Sequence, residues 1–138
     1  MNKFEISSAF IIGHEIIDSE HRELVSILND MVDHYLAEDV ESCKKLWGEF
    51  CEKLKQHFEN EMEIMTELGF KADNHEEGHE RVLEQIYNLG NACEKLEDWA
   101  NCLFAMRNDL LSWILRHDLG FAEYLDSIGY EKSAQLSR

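Results

Sequence analysis

The 138-residue chain contains no proline and only seven glycines. With so little to interrupt regular backbone, little of the chain reads as turns or linkers, and an all-helical domain follows readily. Positive charge is also scarce: 13 Lys and Arg stand against 29 Asp and Glu, giving a formal net charge of −16. Such a surface repels phosphate backbones and anionic lipid, so neither nucleic acid nor a membrane surface is expected as a partner. Long apolar runs are missing too. No segment approaches the roughly 20 apolar residues of a membrane span. The opening MNKFEISSAFIIGHE has no apolar stretch longer than Ala9 to Ile12, too short for a secretory leader. Cysteine occurs at 43, 51, 93 and 102, with no C-x-x-C pair or zinc-knuckle spacing. These read as free thiols acting as small hydrophobes in a reducing compartment, and the expected location is the cytoplasm.

What is there is helical periodicity. An apolar fraction of 44% is enough for one core, and residues 1–138 are read as a single domain. Apolar residues recur at helical spacing in four blocks. The first runs from about Ile16 to Ala37 with a stripe of Leu24, Leu28, Met31 and Val32. The second runs from about Val40 to Leu68 through Trp47, Phe50, Leu54, Phe58 and Met65, and Gly69 is a natural stop. The third starts near Asp73 or Asn74, either a good N-cap, and carries Val82, Leu83, Ile86 and Leu89 to about Leu96. The fourth starts near Asp98 and uses Trp99, Leu103, Met106, Leu110, Trp113 and Phe121. Short connections predict antiparallel neighbours: an all-α, up-down-up-down four-helix bundle, with residues 1–12 as an N-terminal arm and 131–138 as a tail.

Several polar residues fall on these apolar stripes. His21 continues the stripe of the first block. His57 and Glu61, one turn apart, interrupt the second between Leu54 and Met65. His75 and His79 are also one turn apart and lead into Val82 and Ile86, and His117 lies one turn beyond Trp113. Singly, each has an ordinary explanation as a hydrogen-bonded core histidine or a solvated pair. Together, five imidazoles and a carboxylate face inward from four helices, and each would need a buried partner. A metal centre supplies partners for all of them. The nitrogen-rich set suits a first-row transition metal rather than calcium or magnesium, and five histidines exceed one tetrahedral zinc site, so two metals are expected.

This order and spacing resembles hemerythrin and the bacterial hemerythrin-like domains. The flanking words agree: IDSEHREL around His21, HFENEMEIM from His57, and WILRH ending at His117. The resemblance spans roughly residues 10 to 126. It implies a non-haem centre of two Fe ions with a bridging oxo or hydroxo group, which binds O2 reversibly. Carried across, His75, His79 and His117 would hold one iron, His21 and His57 the other, and Glu61 would bridge them. Leu24, Leu54, Phe58 and Trp113 would line an apolar pocket that excludes water.

One position departs from the family pattern. A second bridging carboxylate is expected five residues after the fourth-helix histidine, where this chain has Ala122. Glu123 is the candidate replacement, brought into register if an extra residue near Gly120 is absorbed as a π-bulge. The rival reading is that Glu123 faces solvent and the second bridge is lost. Asp118 is set aside as turned sideways and Asp126 as too far along. His14 reads either as a cap or surface residue or as a group approaching the open iron. Asp18 reads as a first-turn or outer-sphere acid, and His34 as exposed.

Two main functional classes follow. One is a non-enzymatic O2-binding protein for storage, delivery or sensing. The other is a di-iron redox enzyme acting on peroxide, NO or O2, made plausible by the missing carboxylate. An iron reservoir or a structural metal site is a third. The sequence does not identify a protein partner.

Overall fold

The computed structural model describes residues 3–130 apart from 6 and 72–74, and gives only the backbone at 9, 75 and 76. Its elements are a short 3-10 turn, Ser8–Phe10, and the helices α1 (Glu15–Leu36), α2 (Val40–Glu67), α3 (His75–Asn91) and α4 (Leu96–Trp113). A π-helical turn, Ile114–Asp118, then joins α4 without a break to α5 (Leu119–Ser127). There is no strand among the described residues. The chain is all-helical and forms a bundle. Each of α1 to α4 packs on its neighbour in sequence, and α1 closes against α4. No helix among the described residues is long and apolar enough to cross a membrane.

Helix ends follow local chemistry. Asp39 caps α2 by accepting from the Ser42 N–H at 3.1 Å. At the other end of α2, Gly69 takes φ +77°, its N–H reaching the Thr66 carbonyl and that of Phe70 the Met65 carbonyl. This is the Schellman closure that the glycine predicts. The expected α3 cap at Asp73 or Asn74 lies outside the described residues. α3 ends at Asn91, earlier than periodicity alone suggests, and α4 begins at Leu96 with the Asp98 carboxylate accepting from the Lys95 N–H at 2.9 Å. That carboxylate is the local device that turns the chain between the two helices.

The core is the sum of the stripes: Leu24, Leu28, Met31, Phe50, Leu54, Ile86, Leu103 and Met106 are all at or near zero exposure. The N-terminal residues also dock. Phe4 exchanges two hydrogen bonds with the Asn29 side chain, at 2.6 and 2.9 Å, and its ring meets Phe104. Just before α1, both oxygens of Asp18 accept backbone N–H groups, from Ile12 at 2.8 Å and Gly13 at 3.0 Å. Asp18 is thus a first-turn acid that ties the incoming chain to the helix it opens.

Candidate metal centre

Four buried side chains from three elements converge. His21 comes from α1, His57 and Glu61 from one face of α2, and Asp118 from the end of the π-turn. One donor atom from each lies within 4.8 Å of all the others. The His21 and His57 Nε2 atoms are 3.1 Å apart. His21 Nε2 is 3.2 Å from Asp118 Oδ2, and His57 Nε2 is 3.2 Å from Glu61 Oε2. The other Glu61 oxygen, Oε1, meets His79 Nε2 from α3 at 3.3 Å. Glu61 therefore presents one oxygen to each side of the bundle. Both carboxylates have no solvent exposure, a costly arrangement unless charge and hydrogen bonds are matched closely.

His57 is held from outside as well. Its Nδ1 faces Glu20 Oε1 at 2.9 Å, and Glu20 Oε2 accepts from Asn60 Nδ2 at 2.6 Å. A carboxylate behind the imidazole fixes the tautomer and aims the Nε2 lone pair inward, as histidines that ligate metals generally require. Burial opposes charge on His57, but its bonds to Glu20 and Glu61 outweigh that and raise its pKa to about 10. Burial likewise works to raise Glu20, yet its bonds from His57 and Asn60 hold its carboxyl below the ordinary value. The carboxylates that favour the charged imidazole are the same ones that would favour a bound cation.

The donor set fits a transition metal on its own chemistry. Two imidazole nitrogens and two carboxylate oxygens meet in a dry interior, and this mixture suits iron and its neighbours rather than calcium.

The α3 side is arranged by aromatic rings. His79 stacks on Phe58 with centroids 3.9 Å apart and planes 6° from parallel. His117 stacks on Trp113 at 3.8 Å, and Trp113 reaches His79 at 4.9 Å. Trp113 can seat there because residue 78 is glycine: a Cβ at Gly78 would fall 2.2 Å from the indole ring. His117 is half-buried beside a cleft that Gly78, Arg81 and Trp113 also line. The side chain of His75 lies outside the described residues, although its backbone opens α3.

Of the residues expected from sequence, the structure brings His21, His57, Glu61 and His79 together. His117 stands next to Trp113, and Glu123 is exposed on the outer face of α5. Asp118, set aside from sequence, is the carboxylate that occupies the interior. The π-turn explains this exchange. The buried stripe Trp99, Leu103, Met106, Leu110 and Trp113 would continue at His117 on an undisturbed helix. One extra residue is absorbed at 114–118, so the stripe resumes as Ile114, Asp118, Phe121 and Leu125. A bulge is present, as expected, but a turn earlier than Gly120, which is exposed with open space around it. His14 occupies the N-cap position of α1 without a side-chain capping bond. It is buried under the Tyr130 ring and is not one of the four convergent residues. His34 is partly exposed, facing Asp39 at 3.4 Å.

Sequence reading missed Asp118, Glu20 and Asn60. Asp118 had a signal, because Ile114, Phe121 and Leu125 bracket it at helical spacing. Glu20 and Asn60 had none: they sit beside ligand positions, but 40 residues apart in sequence, and meet only in the folded bundle.

The family model for the hemerythrin HHE cation binding domain matches residues 12–120. Bacteriohemerythrin of Aquifex aeolicus (strain VF5) is 24% identical over 107 residues, covering 77% of this chain and 82% of that protein. No solved structure matches the chain.

Proposed function

The chain belongs to the hemerythrin family, and from that premise we propose that it is a non-haem di-iron protein that binds O2 reversibly, for storage, delivery or sensing. The observation that carries this reading is Glu61, with one oxygen at 3.2 Å from His57 and the other at 3.3 Å from His79. A carboxylate disposed this way is suited to bridge two metals. His21 and His57 would hold one iron, and His75, His79 and His117 the other. Asp118, rather than Glu123, would supply the second carboxylate. Iron held by these residues would supply the reversible electron transfer that O2 binding needs.

The chain's own residues set the conditions for reversibility. Glu20 keeps a proton on His57 Nδ1 and leaves Nε2 for the metal. Leu24, Leu54, Phe58 and Trp113 are all buried and would wall the site from water, protecting against loss of the electrons. The redox-enzyme reading drew its support from a missing second carboxylate. Asp118, buried beside His21, would supply that carboxylate, and this favours the carrier reading. The same proposal takes α1 to α4 in antiparallel up-down-up-down order, with residues 1–12 as an arm.

The test is optical. Air admitted to the diferrous protein should produce a stable absorption band that disappears on removing O2. Rapid irreversible oxidation, or turnover of peroxide or NO at the same centre, would overturn the carrier reading.

A further inference from the structure

The metal centre uses none of the four cysteines, and the fold gathers them. Cys43 and Cys51 lie on α2, Cys93 in the turn after α3, and Cys102 on α4. Burial raises the Cys102 thiol most, and the neighbouring sulfurs of Cys93, Cys51 and Cys43 raise it further. Cys43 and Cys51 are fully buried small hydrophobes, the ordinary fate of a core thiol. The other two differ.

Cys93 and Cys102 lie close enough for their thiols to hydrogen-bond. The Cys102 thiol also meets Met106 Sδ at 3.5 Å, one turn along α4. Cys93 also faces the carbonyls of Leu89 at 3.2 Å and Asp98 at 3.6 Å, which anchor it over the start of α4. It is half-buried and gives access from solvent, whereas Cys102 and Met106 are enclosed. Two thiols alone would suit a disulfide. The thioether is what points elsewhere, since it adds nothing to a disulfide but completes a set of three sulfurs.

We propose that Cys93, Cys102 and Met106 form a second metal site, which takes one soft monovalent cation such as Cu(I) through two thiolates and a thioether. Loading breaks two S–H bonds, releases both protons to solvent and leaves the oxidation state of the copper unchanged. Cys102 precedes Trp113 by eleven residues, about 16 Å along the helix, so the site is separate from the histidine cluster. It rests on no part of the di-iron reading.

The experiment is an anaerobic Cu(I) titration of the iron-loaded protein against excess coloured Cu(I) chelator. One copper per chain should resist the chelator, with thiolate-to-copper absorption appearing and the iron spectrum unchanged. Cys102→Ser and Met106→Leu should both lose that copper, and Cys51→Ser should keep it. Met106→Leu conserves shape and both thiols, so it decides the matter even if Cys102→Ser fails to fold. The proposal is overturned if the parent surrenders all its copper or if Met106→Leu holds copper as firmly as the parent. Retention of copper at the expense of the iron spectrum would overturn it equally.

Discussion

The two sides of the centre are held by different forces. Around His57, position is set by a polar chain running from Asn60 through Glu20 to the imidazole. Around His79 and His117, it is set by rings, with Phe58 under one imidazole and Trp113 against the other. Hydrogen bonds fix a tautomer as well as a direction. Stacking fixes the plane of a ring but does not choose which nitrogen carries the proton. The polar side is therefore the more specified chemically, and the aromatic side is specified mainly by volume.

Removing the residue that joins the two sides should have the largest effect. Glu61→Ala is expected to abolish retention of both irons, measured as iron per chain after desalting. One iron retained at full affinity would mean that the sides do not share this carboxylate. Next comes the choice of second carboxylate. Asp118→Ala should lower iron stoichiometry and change the spectrum, while Glu123→Ala leaves both as they are. The reverse pattern would restore Glu123 to the centre.

The polar side is probed by Glu20→Gln, which keeps the shape and removes the charge behind His57. Loss of such an outer partner costs about 10–100-fold in metal affinity. An unchanged affinity by chelator competition would show that Glu20 is only packed there. A pH test follows from the same contact. In the metal-free protein His57 has its pKa raised from 6.5 to about 10. A raised pKa means that the stabilisation is complete below the unfolded value and is lost as pH rises through the folded one. The melting temperature of metal-free protein should thus fall between pH 7 and 10, and Glu20→Gln should flatten that fall. Iron must displace this proton, so iron affinity should rise over the same range. A flat affinity profile would count against a protonated His57.

The aromatic side should respond least in metal binding and most in packing. Gly78→Ala places a methyl group against the Trp113 ring, and overpacking of this kind costs about 1–3 kcal/mol in urea unfolding. Iron affinity should change less than in Glu20→Gln. A larger loss of affinity than of stability would show that stacking orients ligands as strictly as the hydrogen bonds do.

Much of this was legible before any coordinates. The helical blocks, the Gly69 stop and the inward positions of His21, His57, Glu61 and His79 all follow from a period of 3.6 residues and from chemistry local to each helix. The acid after His117 was harder. Counting from His117 favoured Glu123. Counting from Ile114 places Glu123 nine residues on, roughly half a turn round the helix and facing outward, with Asp118 close to the buried line. The two counts disagree because the stripe changes register between Trp113 and Ile114.

By itself the sequence determined where helices begin, which faces are apolar and that His21, His57 and His79 lie on them, because these depend on neighbours within a turn or two. Only the tertiary structure decided that the extra residue is absorbed at Ile114–Asp118, that Glu20 stands behind a histidine of another helix, and that the Cys93 thiol reaches over the start of α4. Each of these depends on what packs across the bundle. A helix reading one face at a time carries no record of it.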